Sequence, residues 1–221
     1  MTRMNNNEVL DFMNKVISSE VKLNIAIEDE NNQSVGFLKP ITKNDIDNVK
    51  LLQTLTKWRS DNMEMFMTNF TATTERTRKY LDKVTDIGSR QTLFIIEEKG
   101  EIVGQVGWKD LTQNDAIMDN GMKGKRTINP KLLIYAHKSL AKWLFLNTNI
   151  KFIYGWLFTD NIPAIMMNKQ IGWSQWIRYP MTKLINGDEW AWEIGLEGKT
   201  SPDSKYCFKL IMIEDDILVN N

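Results

Sequence analysis

The stretch FTDNIPAIMMNKQIGW, residues 158–173, contains a strand end, a turn and a helix in a short length of chain. It follows the apolar run KFIYGWLF (151–158), whose continuous hydrophobic character is typical of a buried strand. Asp160 and Asn161 have the short polar side chains that favour turns and helix N-caps. Gly172 suits the left-handed position that ends many helices. The stretch therefore predicts a buried strand followed at once by a helix of about ten residues.

The segment before this unit also has a helical pattern. Asn129 is a suitable N-cap and Pro130 a suitable first helical residue, and apolar residues recur at helical spacing from Leu132 to Leu144. The short strand candidate DAIMDNGM (115–122) precedes this helix. A strand, a helix and a second strand in this order predict a helical crossover between parallel strands.

The rest of the chain alternates between amphipathic helices and β-rich runs. Helices are predicted over residues 7–19, from a cap at Thr42 or Asn44 through residue 61, and over residues 71–84. Strands are predicted in residues 21–29, 36–42 and 205–213, and hairpins in residues 91–111 and 173–196, the second turning at Asn186 and Gly187. Residues 214–221 are expected to fray. We therefore expect a single domain of mixed α/β (α+β) class, with a central, largely antiparallel sheet and helices on both faces.

The composition argues against several classes of protein. Lysine plus arginine and aspartate plus glutamate both number 28, so no net charge holds the chain on nucleic acid or an anionic membrane. Cys207 is the only cysteine, which excludes an internal disulfide framework and fits a reducing, cytoplasmic compartment. His137 is the only histidine and has no cysteine or carboxylate at ligand spacing, so we expect no metal site. No apolar run reaches the roughly 20 residues that span a bilayer.

Four strings stand in order along the chain: LKPITKND (38–45), LTKWRSDN (55–62), EIVGQVGWKDL (101–111) and the opening stretch. Together they resemble the GNAT N-acetyltransferase superfamily, and most closely its branch of ribosomal-protein-acetylase-like and sugar-nucleotide N-acetyltransferases. The opening stretch is the most specific of the four, because it resembles the family block SDNxxAIxLYxKxGF. The resemblance divides the chain into an N-terminal helix and strand extension (1–35), an acetyltransferase-like domain (36–196), and a C-terminal loop, strand and tail (197–221).

The resemblance implies a reaction and a place for it. Members transfer an acetyl group from acetyl-CoA to a primary amine by direct attack, without a metal. The sheet is splayed at a V-shaped cofactor groove, which here lies between the strands at residues 115–121 and 152–158. Met118, Asn120 and Gly121 are then expected to contact the cofactor, with a backbone N–H at the end of the first strand donating to the thioester oxygen.

The family's diphosphate loop is less well matched. Relatives have Arg or Gln, two residues, Gly, one residue, and Gly or Ala, because the backbone wraps closely around the phosphates. This chain has GMKGKRTINPKLL (121–133), with glycines only at its start and a basic cluster of Lys123, Lys125, Arg126 and Lys131. We expect Arg126, Asn129 and Lys131, with the free N–H groups after Asn129, to replace part of the cradle. The alternative is a solvated basic loop before a capped helix.

Three residues are candidates for the chemistry. Asp119, near the splay point, is our candidate general base, and the alternative is a strand-end Asp that accepts from a turn N–H. Asn168 stands where many relatives have a Tyr that protonates the departing thiolate; an amide instead holds the sulfur or a water. A thiol with a pKa of about 8.5 leaves without a strong acid. Asn161 matches the family Asn that binds the pantetheine, and it also suits a helix N-cap.

The acceptor is expected beside the segment KWRSDN (57–62). Arg59 suits bidentate binding of a phosphate or carboxylate, with Trp58 stacking on a ring, and the alternative is a surface salt bridge. Trp143 and Trp156 are expected in the core. We favour a small-molecule amine, an amino-sugar nucleotide, as the acceptor. A protein N-terminus and a catalytically silent binding module are the alternatives, and a homodimer is possible.

Overall fold

The computed structural model describes residues 3–218, and within that range ten strands form one sheet. The strands are β1 (Ile25–Glu28), β2 (Ser34–Pro40), β3 (Thr68–Asn69), β4 (Thr92–Glu98), β5 (Glu101–Lys109), β6 (Asp115–Lys123), β7 (Phe152–Phe158), β8 (Gln175–Asn186), β9 (Glu189–Ile194) and β10 (Lys205–Ile213). Their order across the sheet is β1-β2-β4-β5-β6-β7-β10-β8-β9-β3. Of the described pairs, only β6 with β7 is parallel, so the expected mixed, largely antiparallel sheet is confirmed.

Helices cover both faces of this sheet, as predicted. The longer ones are α1 (Asn6–Ile17), α2 (Val49–Asp61), α3 (Thr74–Val84), α4 (Leu132–Asn147) and α5 (Ile162–Ile171), and α6 (Glu214–Leu218) is short. The buried sides of α1, α4, α5 and α6 share one core cluster against the sheet. The buried sides of α2 and α3 form a second cluster on the opposite face, against β4 and Met122 of β6. The helix α4 connects β6 to β7 as the predicted crossover.

Local sequence signals explain the unit formed by β7 and α5. The strand β7 ends at Phe158, and the side chain of Asn161 caps α5 by accepting from the Ala164 N–H at 3.2 Å. Gly172 ends the helix with a φ of +105°, in the left-handed region that glycine adopts without strain. The ten-residue helix is confirmed.

Three predicted boundaries are wrong, each for a structural reason. The helix α2 begins at Val49 and is capped by Asn48, because Thr42 instead caps a short 3₁₀ turn. The helix α4 begins at Leu132, because residues 129–132 form a tighter turn in which the Leu132 N–H donates to the Asn129 carbonyl at 3.2 Å. Residues 214–218 are helical instead of frayed, since Ile217 is buried in the core; residues 219–221 lie outside the described range.

The connection between α2 and α3 closes the far end of the sheet. Its short strand β3 pairs antiparallel with β9, through Thr68 to Ala191 and Asn69 to Trp190. Met67, just before β3, packs against a small cluster formed by Phe158, Met181 and Cys207. The connection between α2 and α3 therefore borders the back half of the sheet, β7-β10-β8-β9. It lies on the sheet face that α2 and α3 cover.

Candidate active site

The strands β6 and β7 separate soon after they meet. Their parallel pairing runs from Asp115 with Phe152 to Ile117 with Tyr154 and then stops. Beyond that point β6 stays paired with β5 and β7 stays paired with β10. The result is a V-shaped opening between residues 118–123 and 155–158, whose facing backbone edges have no strand partner. This is the splay that the resemblance implied.

A β-bulge lies on the β6 side of the opening. The ladder with β5 runs from Lys109 with Ile117 to Gly107 with Asp119, and then shifts to Gln105 with Met122. Asn120 and Gly121 together therefore stand opposite a single residue of β5. Asn120 has a φ of +54°, which asparagine tolerates better than most residues. A bulge removes a backbone group from the ladder, so the region expected to contact an acetyl oxygen has a peptide group free of strand pairing.

Asp119 stands at the centre of a polar cluster on the sheet face toward α2 and α3. Its Oδ2 lies 3.1 Å from Lys109 Nζ, and it also accepts from Asn120 Nδ2 at 3.1 Å. Asn120 Nδ2 donates as well to the Tyr80 hydroxyl at 2.9 Å. Burial raises the pKa of Tyr80 well above its usual range, and the charge of Asp119 raises it further. Tyr80 is therefore a neutral hydrogen-bonding group near neutral pH, and Asp119 is the carboxylate of the cluster.

Arg59 and Trp58 do not have the arrangement that we expected. The guanidinium of Arg59 lies between the rings of Phe66 and Phe70, 3.6 and 4.9 Å from their centroids, and donates to Thr68. Burial lowers its pKa to about 10, while Asp119 and Tyr80 oppose that shift. Arg59 thus fixes the segment that contains β3 through Nη2, while its buried Nε has no hydrogen-bond partner within the described residues.

Trp58 is part of the core. Its side chain is only 4% exposed, and a Cβ added to Gly124 would lie 1.8 Å from its indole ring. The chain therefore needs glycine at position 124 so that the backbone after β6 can pass over this ring. A residue packed in this way offers no open face on which an acceptor ring could stack.

The opposite wall of the opening contains Asn161 and Asn168. Asn161 caps α5, as described above, and its amide nitrogen makes no hydrogen bond within the part of the chain that the structure describes. Asn168 is buried: its Nδ2 donates to the Ala164 carbonyl at 2.9 Å, and its Oδ1 accepts from Trp173 Nε1 at 2.7 Å. Trp173 in turn packs on Gly155 of β7, where a Cβ would lie 3.0 Å from the ring. Asn168 therefore supports the wall through Trp173.

The loop after β6 is organised around a buried carboxylate. Glu98, at the end of β4, is 5% exposed and accepts from the Ile128 and Asn129 N–H groups at 2.7 and 2.8 Å. Pro130 has no N–H, and the Lys131 N–H is bound by the Asn129 side chain. Neither of the first two residues after Asn129 therefore offers a free N–H. Leu132 lies beside Gly36 of β2, so α4 begins over the front half of the sheet and not at the opening.

The basic residues of this loop differ in their availability. Lys125 pairs with Glu101 at 3.1 Å and Lys131 with Glu30 at 3.3 Å. Arg126 is exposed, and no ion pair or hydrogen bond of its side chain occurs within residues 3–218. Next to the start of α4 lies a cleft of about 760 Å³, lined in part by Asp29, Glu30, Glu97, Glu98, Lys99 and Lys131. Its largely acidic wall suits a diphosphate poorly.

His137 is a residue that the sequence did not identify for the site. It is 4% exposed, its Nδ1 lies 2.7 Å from the Leu133 carbonyl, and its Nε2 would lie 2.3 Å from a Cβ on Gly121. Burial lowers its pKa, while the bond to Leu133 acts in the opposite direction. The neutral imidazole therefore packs under the bulge on the α4 side. The only signal in the sequence for this position is that His137 follows Leu133 by four residues, on the same face of the predicted helix.

Other kinds of site find no support in the described part of the chain. No group of three or more His, Cys, Asp or Glu residues there is arranged to hold a metal ion. Burial raises the pKa of the Cys207 thiol to about 12, so it stays protonated near neutral pH. No helix in residues 3–218 is long and apolar enough to cross a membrane.

Comparison with known proteins agrees with this geometry. The family model for the acetyltransferase (GNAT) domain matches residues 38–179, which is more than half of the chain. No curated protein sequence matches the chain.

Solved structures show the same fold at low identity. One is an acetyltransferase from Salmonella typhimurium that modifies the N-terminal serine of ribosomal protein L7/L12 (10% identity, 87% of this chain and 100% of that chain, TM-score 0.58). A second is a GNAT-family acetyltransferase from Bacillus anthracis (16% identity, 87% and 99%, TM-score 0.58). A third is the microcin C7 self-immunity acetyltransferase MccE in complex with acetyl-CoA and AMP (11% identity, 82% and 93%, TM-score 0.57).

Proposed function

Because the chain belongs to the GNAT acetyltransferase family, we propose that it transfers the acetyl group of acetyl-CoA to the primary amine of a small acceptor, with an amino-sugar nucleotide as the first candidate. The observation that carries this proposal is the opening between β6 and β7, with a bulge on one edge and Asp119 beside it. Acetyl-CoA supplies an activated thioester, so the protein needs to orient the amine, accept its proton and stabilise charge on the carbonyl oxygen.

The residues of the opening fit the pantetheine arm of the cofactor. The unpaired edges at residues 118–123 and 155–158 offer backbone donors and acceptors to its amides. The amide of Asn161, at the start of α5, extends this set from the other wall. Met118 of β6 is buried and contributes packing, while Asn120 and Gly121 form the bulge.

The diphosphate is the part of the cofactor that fits least well. Glu98 occupies two of the N–H groups at the place where relatives present their cradle. We therefore assign the diphosphate contact to side chains, with Arg126 first because it is exposed and unpaired within the described residues. Asn129 and Lys131 shape the loop in this view, since each is engaged by a neighbouring group.

Asp119 takes the proton of the acceptor amine, directly or through one water. Its position supports this role, because it precedes the bulge and its carboxylate is 35% exposed. Lys109, 3.1 Å away, is a primary amine that already stands where an acceptor amine would meet the carboxylate. The bulge N–H donates to the carbonyl oxygen as negative charge develops there. The departing thiol needs little help, because its pKa of about 8.5 is near neutral.

Thiol release from acetyl-CoA, measured with a panel of amines, tests the proposal. The panel contains amino-sugar nucleotides, simple amino sugars and peptides with free N-termini, and each is compared with a reaction that lacks the amine. We expect saturable release with an amino-sugar nucleotide. If no amine raises release above the background while acetyl-CoA still binds, the proposed function is wrong.

Two alternatives have specific support. The similarity to an enzyme that modifies the N-terminal serine of a ribosomal protein favours a protein N-terminus as acceptor; release with peptides alone would establish it. The occupation of the loop N–H groups by Glu98 favours a catalytically silent module of the same fold. Turnover with any amine excludes that second alternative.

A further inference from the structure

The sheet face that contains Asp119 continues across the opening as a band of aromatic side chains with a lysine among them. We propose that this band, the acceptor stripe (Tyr154, Trp156, Tyr179, Trp192 and Lys209), binds the acceptor through a flat ring and through a phosphate group of the same molecule. The inference rests on the proposed function. It narrows the acceptor to amines in a molecule that has both a flat ring and a phosphate group, such as a nucleotide.

The register of the sheet brings the stripe next to the candidate base. Ile117 and Tyr154 form the last pair between β6 and β7, and parallel partners lie on the same face. Asp119 and Trp156 each follow two residues later, so they lie on that face too, on the two sides of the opening. A ring bound at Trp156 therefore holds its substituents within reach of Asp119. We had expected Trp156 in the core, but it is only half-buried.

The aromatic side chains of the stripe form a surface suited to a flat ring. Trp156 and Tyr179 meet edge to face, with centroids 5.5 Å apart and an interplanar angle of 71°. The backbone N–H of Trp192 donates to the Met67 carbonyl at 2.8 Å, which fixes this residue's main chain beside the stripe. All four rings are half-buried, so each keeps part of its surface available for stacking. Bases stack on such aromatic side chains without regard to their sequence, because every base has a π-face.

Lys209 supplies the charge for an anionic group. It stands directly opposite Trp156 across the β7 and β10 pair, with Nζ 4.0 Å from the Tyr154 centroid and 6.0 Å from the Trp156 centroid. No carboxylate within residues 3–218 forms an ion pair with it. A phosphate is a strong partner for a lysine ammonium on such a surface, because the bond is charge-assisted.

The acidic side chains around the stripe are already engaged. Asp160 pairs with Lys205 at 2.6 Å, and Glu197 accepts from the Tyr179 hydroxyl at 3.2 Å. Asp119 pairs with Lys109, as described above. Lys209 is therefore a positive charge near Trp156 without an ion-pair partner in residues 3–218, and a negatively charged ligand would complement it.

The borders of the stripe favour a small ligand. The opening lies along one side, and Met67, packed on Phe158 and Met181, bounds another. Beyond Met67 the strand β3 adds to the edge of β9, so the sheet edge nearest to the stripe is covered. A bounded surface of this kind fits a small molecule with one flat ring and a phosphate group better than it fits an extended protein partner.

Binding of uridine diphosphate, uridine and inorganic phosphate tests the inference without acetyl-CoA or an amine. Affinities are measured by calorimetry for the wild-type chain and for Lys209→Met and Trp156→Leu. Lys183→Met is the control for position, because Lys183 Nζ also lies over an indole, 4.6 Å from the Trp190 centroid, but Lys183 stands opposite Trp192 at the border of the stripe, on β8, and not opposite Trp156. Circular dichroism checks that each variant is folded.

We expect uridine diphosphate to bind, and to bind about tenfold more weakly to Lys209→Met, a change of about 1.4 kcal/mol. Uridine should bind weakly and be insensitive to Lys209→Met, whereas Trp156→Leu should weaken both nucleoside ligands. The control should bind as the wild type does. The inference is overturned if uridine diphosphate does not bind, if inorganic phosphate alone binds equally well, or if Lys183→Met has the same effect as Lys209→Met.

These outcomes are separate from those of the proposed function. Amine-dependent thiol release without nucleotide binding would leave the proposed function standing and remove the stripe as acceptor site. Nucleotide binding at the stripe without release on any amine would support the stripe as a ligand site and remove the acetyl transfer.

Discussion

Lys109 Nζ lies 3.1 Å from Asp119 Oδ2, so the candidate base already has a primary amine at hydrogen-bond distance. The pair is partly exposed, with side-chain accessibilities of 39% and 35%. An ion pair of this kind contributes little to stability, because solvent screens it. We therefore expect Asp119 to matter for the reaction far more than for the fold.

Asp119→Asn should lower kcat by about 10²-fold or more, because general-base catalysis contributes that much in other enzymes. Asp115→Asn is the matched control, since Asp115 lies four residues before Asp119 on the same face of β6 and is bound by Thr112. Steady-state kinetics over pH 6 to 9 would measure the effect. Equal rates for the two variants would remove Asp119 from the mechanism.

Arg126→Ala should raise the KM for acetyl-CoA by about tenfold or more while leaving the KM for acetyl-pantetheine unchanged, because only the first substrate has a diphosphate. The expected loss follows from removing one charge-assisted hydrogen bond, about 1.5–3 kcal/mol when the bond is well formed. Lys125→Ala serves as the control, because Lys125 is paired with Glu101. An identical change in both KM values for Arg126→Ala would show that Arg126 does not bind the diphosphate.

Glu98→Gln should lower the free energy of unfolding by about 1–3 kcal/mol, because a buried N–H loses its acceptor when one carboxylate oxygen becomes an amide nitrogen. The neighbouring Glu97→Gln removes only a partly exposed ion pair with Lys39 and should cost at most about 1 kcal/mol. Urea denaturation would compare the two. A smaller loss for Glu98→Gln than for Glu97→Gln would contradict our account of the loop.

Asn168→Ala should also destabilise the fold by about 1–3 kcal/mol, because it leaves the buried Trp173 Nε1–H without its acceptor. In the Trp173→Phe background the same substitution should cost less, since phenylalanine has no N–H to satisfy. A double-mutant cycle measured by denaturation gives the coupling. Zero coupling, together with a large loss of kcat in Asn168→Ala alone, would instead favour a direct role for Asn168 at the sulfur.

His137 should make stability depend on pH between 5 and 7. Burial lowers its pKa in the folded chain below the ordinary value of 6.5, so the unfolded chain binds a proton that the folded chain does not. Stability is therefore fully present above 6.5 and falls as the pH decreases, by up to about 1.4 kcal/mol per unit. Denaturation of the wild type and of His137→Gln would measure this slope, and an unchanged slope in the variant would contradict the prediction.

Most of the fold follows from local signals in the sequence. Asn161 and Gly172 define α5 through a cap and a left-handed residue, and the hairpin between β8 and β9 turns at Gly187 with a φ of +62°. The family match confirms the resemblance that four short strings implied. Signals of this kind act within a few residues, so they can be found in a single sequence.

The parts that the sequence did not predict depend on contacts between distant residues. Glu98 fixes the loop before α4 by binding N–H groups 30 and 31 residues away. Phe66 and Phe70 enclose Arg59 only because the connection between α2 and α3 folds back to pair with β9. Trp156 reaches the surface because none of the helices in residues 3–218 covers the back half of that sheet face. None of these relationships has a local pattern.

A crystal structure of the chain with coenzyme A tests the central claim most directly. Our account predicts the pantetheine arm between residues 118–121 and 155–158, with its sulfur end near the bulge and Asp119. Coenzyme A bound instead in the cleft beside Glu30 and Glu98, or no binding at concentrations that saturate the crystals, would contradict it.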